Sequence, residues 1–108
     1  MKVVKIALLA AALLVAHTSF ALSTLGNPSC GMWVKRKTDQ LVDMGNTSWL
    51  MGFMTGIAVG TGVDMLANAD GESLELWMDN YCQAHPLDNV GTGAAALAIE
   101  LRSRMPKK

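Results

Sequence analysis

The chain has 108 residues and two cysteines, which is enough for one small domain and too little for two. Nine Lys plus Arg residues balance nine Asp plus Glu residues, and the internal basic cluster spans only residues 35–37. This balance argues against nucleic acid as a partner, because nucleic-acid-binding surfaces carry a clear excess of basic side chains. We expect residues 35–37 to be solvated surface.

The N-terminal segment has the pattern of a cleaved export signal. Two lysines form a basic head, residues 6–16 are an uninterrupted apolar run, and Ser19 and Ala21 supply small side chains before a cleavage site. The apolar run is well short of the ~20 residues that a membrane-spanning helix needs. We therefore expect a signal peptide over residues 1–21, a single mature domain over residues 22–108, and a protein that works outside the cytoplasm.

The two cysteines, Cys30 and Cys82, both belong to the mature domain. An even number of cysteines in a short exported chain is most simply a disulfide, because the compartment is oxidising. Two isolated thiols at this separation form neither a Cys-x-x-Cys redox unit nor a zinc ligand set. We expect a Cys30–Cys82 disulfide, and we expect neither a metal site nor a cofactor.

The first helical segment is predicted at residues 30–42, although its apolar residues do not form a clean stripe. Gly45 and Asn46 are expected to interrupt the chain after it, because both residues favour turns. Thr47 or Ser48 can then cap a new helix. The sequence thus predicts two separate helices in this region.

The second predicted helix, over residues 49–63, is largely apolar and carries no charge. Its glycines recur at every fourth position from Gly52 to Gly60, which in a membrane would favour close helix packing. Polar residues in the surrounding window and the lack of a basic flank favour a buried helix instead of a membrane span. We expect the glycine strip to admit another helix and the strip begun by Trp49 and Phe53 to fill the core.

A polar stretch over residues 64–72 follows and contains a turn signal that ends at Gly71. Asp70 can cap the third helix, and Pro86 ends it. The apolar residues of this helix recur at helical spacing and are expected to face the core. They are Leu74, Trp77, Met78, Tyr81 and Cys82.

The fourth predicted helix is capped by Asp88 and has a small-residue face. Its expected buried residues are Ala94, Leu97, Ala98, Leu101 and Met105. Gly91 and Gly93 match a loose dinucleotide fingerprint, but no strand precedes them, so we expect them to permit tight helix packing. No strand pattern is found, and the sequence predicts an all-α fold, a compact bundle of about four helices closed by one disulfide.

The mature chain offers little catalytic chemistry. His85 is its only histidine and lacks the neighbouring groups that a metal ligand or general base requires. Its position before Pro86, at a helix end, suits a cation near backbone carbonyl groups. We therefore predict a binding protein, not an enzyme, with no catalytic residues.

Three segments of the mature chain stand together in order. They are Cys30-Gly-Met-Trp33, Trp49-Leu-Met-Gly-Phe-Met-Thr-Gly56 and Trp77-Met-Asp-Asn-Tyr-Cys-Gln-Ala-His-Pro86, followed by an Ala-rich helix. In this order and spacing they resemble the Rap/Tai family of small exported immunity proteins. The resemblance implies a periplasmic, all-helical protein that binds and blocks a peptidoglycan amidase delivered by a type VI secretion system. It also implies self-association as a homodimer.

The predicted contact surface for such a partner is the polar loop between the second and third helices. This loop is acidic, contains glycine and separates two well-supported helices, and binding residues concentrate in such loops. The predicted partner-binding residues are Asp64, Asn68, Asp70 and Glu72. Family motifs do not supply this prediction, because the interface varies with the toxin.

Two other function classes stay open at this point. An acid-stress chaperone of the HdeA kind would also be small, exported, helical and closed by one disulfide. Protonation of its carboxylates in strong acid would bring the mature chain to a charge of about +8 and could switch such a chaperone on. An enzyme is the third alternative, and amidase or nuclease assays on the purified protein would reveal it.

Overall fold

The structure is a computed structural model that describes residues 23–107. The described chain forms four α-helices and one 3-10 helix, with no β-strand among these residues. The helices are α1 (Cys30–Lys35), α2 (Gln40–Thr61), α3 (Gly71–Ala84) and α4 (Val90–Ser103), and the 3-10 helix is Arg36–Thr38. The predicted all-α bundle of about four helices is confirmed. The predicted signal peptide lies outside the described residues.

The disulfide between Cys30 and Cys82 is also confirmed, and it joins α1 to α3. Both cysteines are 1% exposed. The core around them is formed by fully buried side chains from every helix of the bundle. The largest are Trp33, Leu50, Met54, Met78 and Val90. Within residues 23–107, none of the helices has the length and apolar character that crossing a membrane would require.

Helix α2 begins earlier than the sequence predicts, because Asp39 caps it. The Asp39 carboxylate accepts hydrogen bonds from the backbone N–H groups of Leu41 and Val42, at 3.1 and 3.2 Å. Such a cap satisfies donors that have no partner in the first helical turn. The predicted first helix over residues 30–42 is therefore divided into α1, the 3-10 helix and the first residues of α2.

Gly45 and Asn46 lie inside α2, so the predicted interruption and the cap at Thr47 or Ser48 are wrong. Asn46 is 8% exposed, and its side-chain amide donates a hydrogen bond to the carbonyl oxygen of Met32 at 2.8 Å. A buried amide needs such a partner, and α1 supplies it. The contact between the two helices thus overrides the weak helix propensity of this position.

The inward face of α2 lies one residue away from the predicted strip. Asn46, Leu50 and Met54 are its buried residues. Trp49 and Phe53 are half-buried beside them and stack with ring centroids 4.9 Å apart. These two aromatic residues pack against the core from its edge.

The glycine strip of α2 is exposed, and the predicted close approach of another helix is wrong. A Cβ atom built at Gly52, Gly56 or Gly60 meets no heavy atom within 4 Å. Close approach occurs at α4 instead. A Cβ atom at Gly93 would lie 2.7 Å from Tyr81 Cδ1 and 2.8 Å from Met78 Sδ. The predicted tight helix packing is confirmed for Gly93, whereas the close neighbour of Gly91 is Asn27, in the segment before α1.

The two kinds of glycine are expected to respond oppositely to alanine. Gly93→Ala should lower the free energy of unfolding by about 1 to 2 kcal/mol, because the new methyl group overlaps α3. Gly52→Ala should raise it by about 0.5 to 1 kcal/mol, because alanine loses less backbone entropy in an open helical position. Urea unfolding followed by circular dichroism measures both values. A stabilising Gly93→Ala would contradict the packing described for α4.

The segment before α1 is fixed to the start of α4 by two backbone hydrogen bonds. Cys30 N–H donates to the Asp88 carbonyl oxygen at 2.9 Å, and Val90 N–H donates to the Pro28 carbonyl oxygen at 2.8 Å. The cap of α4 is Asn89, not the predicted Asp88. The disulfide and this pairing together hold the N-terminal segment against both α3 and α4.

The predicted inner faces of α3 and α4 are largely confirmed. In α3, Leu74, Met78 and Cys82 are buried, and Trp77 and Tyr81 are half-buried. The buried residues of α4 include Ala94, Leu97 and Ala98, with Leu101 half-buried. Met105 was predicted to be buried, but α4 ends at Ser103, and Met105 is 37% exposed.

Candidate functional site

A groove with a volume of about 430 Å³ lies between the loop of residues 62–70, α3 and the C-terminal half of α4. We call it the α3–α4 groove. Its floor is apolar, and its rim carries charged side chains from the loop and from α4. The residues that form the floor are Met65, Leu74, Leu97 and Leu101. Such a concave apolar surface with a few placed polar groups is typical of binding sites.

The floor of the groove is continuous with the core of the domain. Met65 and Leu74 are each 6% exposed, and Leu97 is 2% exposed. Their inner surfaces pack in the core cluster, so the floor has little freedom to rearrange. Trp77 forms part of one side, and its indole N–H donates a hydrogen bond to Glu100 Oε2 at 2.7 Å. This bond fixes the plane of the indole ring across the two helices.

Glu100 and Arg104 form the α4 side of the rim. The Glu100 carboxylate accepts hydrogen bonds from the Trp77 indole and from the Arg104 guanidinium, and these bonds hold its pKa below the usual value. Glu100 is therefore ionised at neutral pH. The Arg104 side chain is 72% exposed, so this ion pair faces solvent.

The loop forms the opposite rim and has a fixed backbone. Gly62 ends α2 with a φ of 66°. Two turns follow, in which Met65 N–H donates to the Val63 carbonyl oxygen and Ala69 N–H donates to the Leu66 carbonyl oxygen. Met65 anchors the loop because its side chain enters the core. The loop therefore presents its polar side chains from a defined position.

Asp70 belongs to this rim and also caps α3. Its carboxylate accepts hydrogen bonds from the Ser73 backbone N–H at 2.7 Å and from the Ser73 hydroxyl at 2.9 Å. These bonds lower the pKa of Asp70, so its charge persists into mildly acidic solution. The predicted capping role of Asp70 is confirmed.

The structure brings together three of the four residues predicted for partner binding. Asp64, Asn68 and Asp70 all line the α3–α4 groove. Glu72 does not: it lies exposed in the first turn of α3, outside the lining. This placement follows from the helix, since successive residues of α3 point in different directions around its axis.

Sequence reasoning did not assign Trp77, Glu100 or Arg104 to the site. Trp77 was predicted as a core residue. It is half-buried and packs against the core, but it also lines the groove. Glu100 and Arg104 are spaced as an i, i+4 ion pair, which is a recognisable signal of a charged helix face. That spacing does not reveal that the pair lies beside an apolar groove.

A second cluster of charges lies on the other side of α3, around Arg36. The Arg36 guanidinium lies 3.0 Å from Asp43 and 2.9 Å from Asp79, and its central carbon lies 4.4 Å from the centre of the Trp33 ring. Only 10% of its side chain is exposed, so the prediction of solvated surface is wrong for Arg36. Lys37 forms a second ion pair with Asp79, at 3.0 Å. The cluster ties α1, α2 and α3 together.

His85 lies at the end of α3, as predicted. Its Nδ1 atom lies 3.1 Å from the Tyr81 carbonyl oxygen, and its ring stacks on the Tyr81 ring at 4.5 Å. The Tyr81 hydroxyl donates a hydrogen bond to Asp88 at 2.6 Å, which raises the pKa of the tyrosine. These contacts fasten the turn between α3 and α4.

The α3–α4 groove is the feature of the described chain that is best suited to recognise a partner. Its apolar floor is rigid, and its rim offers carboxylates, an amide and a guanidinium. No family model, no curated protein and no solved structure matches the chain.

Proposed function

We propose that this is a periplasmic immunity protein, which binds a peptidoglycan amidase through the α3–α4 groove and the adjoining loop and thereby inhibits it. The observation that carries the binding role is the gathering of Asp64, Asn68 and Asp70 around an apolar floor. An apolar centre with a polar rim is the usual anatomy of a protein–protein contact. The amidase as partner rests on the resemblance of the three sequence segments to the Rap/Tai family.

Inhibition of this kind needs a rigid surface and no reacting group. The disulfide and the Asp70 cap fix the elements on which the loop is mounted. A surface that is ordered before binding loses less conformational entropy when the complex forms. The loop can therefore occlude the cleft of an enzyme without a large ordering penalty.

The proposal is tested with tagged mature protein in an oxidising periplasmic extract. Mass spectrometry of the retained proteins should identify one cell-wall hydrolase in stoichiometric amount. When the mature protein is added to this hydrolase, the hydrolase should no longer release peptides from peptidoglycan. Retention of no hydrolase, together with protection of unfolded proteins in acid, would favour the HdeA-like chaperone. Sedimentation of the purified protein measures the homodimer that the resemblance implies.

The rim residues provide a sharper test of the same surface. The double variant Asp64→Ala/Asn68→Ala should weaken partner binding by about tenfold or more, since polar rim contacts fix the register of an interface. Asp70 is left intact, because removing a helix cap would lower stability by roughly 1 kcal/mol. Surface plasmon resonance with the isolated partner immobilised measures the dissociation constant of each variant.

The matched control is Glu72→Ala/Asn80→Ala, which likewise removes one carboxylate and one amide, from exposed positions outside the groove. We expect it to bind the partner like the native protein. An equal loss of affinity in both double variants would mean that the contact surface extends over the outer face of α3. Unchanged binding by the Asp64→Ala/Asn68→Ala variant would exclude the groove rim from the interface.

A further inference from the structure

We propose that the α3–α4 groove receives an apolar side chain flanked by basic residues, presented by a segment of the partner protein. This inference rests on the proposed function, because it names the chemistry of the partner segment that enters the same groove. It is carried by three features of the groove: its volume and apolar floor, its fixed indole wall and the excess of carboxylates on its rim.

The dimensions of the groove fit a side chain better than a flat contact. A volume of about 430 Å³ falls within the range of pockets that enclose small ligands. Met65, Leu74 and Leu97 close the floor from the core side. An apolar side chain that enters is removed from water against a surface that is already packed.

The rim selects the charge of the residues that flank this apolar side chain. Among the lining residues described, Asp64, Asp70 and Glu100 are acidic and Arg104 is basic, which leaves the rim with a net charge of −2. Asp64 forms no ion pair and no side-chain hydrogen bond within residues 23–107. Basic residues beside the apolar anchor would pair with these carboxylates, whereas acidic residues would be repelled.

The positive charge of Arg104 is expected to weaken the binding of a basic segment. Arg104 is the basic member of the rim among the lining residues described, and it competes with an incoming cation for Glu100. Arg104→Gln should therefore strengthen binding of a basic segment several-fold. A groove that bound its ligand through apolar contacts alone would show no such gain.

The probe is a set of short capped peptides measured by nuclear magnetic resonance on the full mature protein with its disulfide intact. One peptide has a central Leu between Lys residues, a second has Glu in place of Lys, and a third has Ser in place of Leu. The readout is the indole N–H signal of each tryptophan. Trp77 lines the groove, whereas Trp33 is fully buried elsewhere and Trp49 lies on α2.

We expect the Lys–Leu–Lys peptide to shift the Trp77 signal while the Trp33 and Trp49 signals stay in place. The Glu and Ser peptides should bind at least about tenfold more weakly, because each removes one of the two complementary features. Equal affinity for the Lys and Glu peptides, or no shift of the Trp77 signal by any peptide, would overturn the inference.

A groove-filling variant separates this inference from the immunity function. Ala67 is exposed and lines the groove, so Ala67→Trp should block peptide binding, whereas the matched variant Ala95→Trp, on the exposed face of α4, should leave it unchanged. If the native protein binds the peptide but inhibits no amidase, the proposed immunity function is wrong and the groove inference stands. Amidase inhibition that persists in Ala67→Trp, with no peptide shift in the native protein, would overturn the groove inference alone.

Discussion

Loss of the Cys30–Cys82 disulfide is expected to lower the free energy of unfolding by about 4 kcal/mol, a large part of the stability of a domain of this size. The two cysteines are 52 positions apart in the sequence. The bond therefore removes the entropy of a long loop from the unfolded chain. It also holds α1 against α3 at the centre of the core, where both cysteines are 1% exposed.

Thermal unfolding followed by circular dichroism measures this effect with and without reductant. The Tm should fall by about 15 to 30 °C on reduction, given the entropy of unfolding typical of such domains. The double variant Cys30→Ala/Cys82→Ala should show a similar fall and no further response to reductant. A fall of less than about 5 °C would mean that the packing of α1 holds the fold without the covalent bond.

The third helix could be predicted from the sequence because its local signals agree with one another. Asp70 is a strong cap, the apolar residues recur with a helical period, and Pro86 lies just beyond the last turn. Each signal acts within a few residues, so no knowledge of the tertiary fold is needed. The structure confirms this helix with a cap at Asp70 and an end at Ala84.

The second helix could not be placed correctly by the same local rules. Gly45 and Asn46 resemble a break, and Thr47 resembles a cap, yet the helix passes through all three. The deciding contact is the hydrogen bond from the Asn46 amide to the carbonyl oxygen of Met32, which lies fourteen positions earlier. A contact between residues this far apart in the sequence cannot be predicted from local signals, because it forms only when α1 packs on α2.

The candidate site shows the same division. The loop could be predicted because polar and glycine residues between two helices mark an exposed connection, and Asp64, Asn68 and Asp70 do lie on the groove. The opposite rim could not be predicted. Trp77 and Glu100 are 23 positions apart, and only the packing of α3 on α4 brings them together.

Arg36→Ala is expected to lower the free energy of unfolding by about 2 to 3 kcal/mol at neutral pH. The substitution removes a guanidinium that joins Asp43 to Asp79 and covers the Trp33 ring. Removal of one partner from a fully buried pair typically lowers stability by about 3 to 5 kcal/mol, and the value is smaller here because Lys37 still pairs with Asp79.

The control for this substitution is Arg102→Ala, which removes the same side chain from an exposed position in the last turn of α4. It should change the free energy of unfolding by no more than about 0.5 kcal/mol. Urea unfolding at neutral pH compares the two variants. Equal effects would mean that the Arg36 cluster behaves as ordinary solvated surface.

The pH dependence of stability tests whether Asp79 is the charge that Arg36 stabilises. Burial raises the pKa of the Asp79 carboxyl, but hydrogen bonds from Lys37, Arg36 and Trp33 outweigh it and hold the pKa below its ordinary value. Because the pKa is lower in the folded state, this contribution to stability is complete above about pH 4 and is lost as the pH falls further. The penalty of Arg36→Ala should therefore shrink in acid, and Asp79→Asn should flatten the acid limb of the native stability curve. A penalty that stayed constant from neutral pH to about pH 2 would mean that Arg36 acts by packing on Trp33, not by its charge.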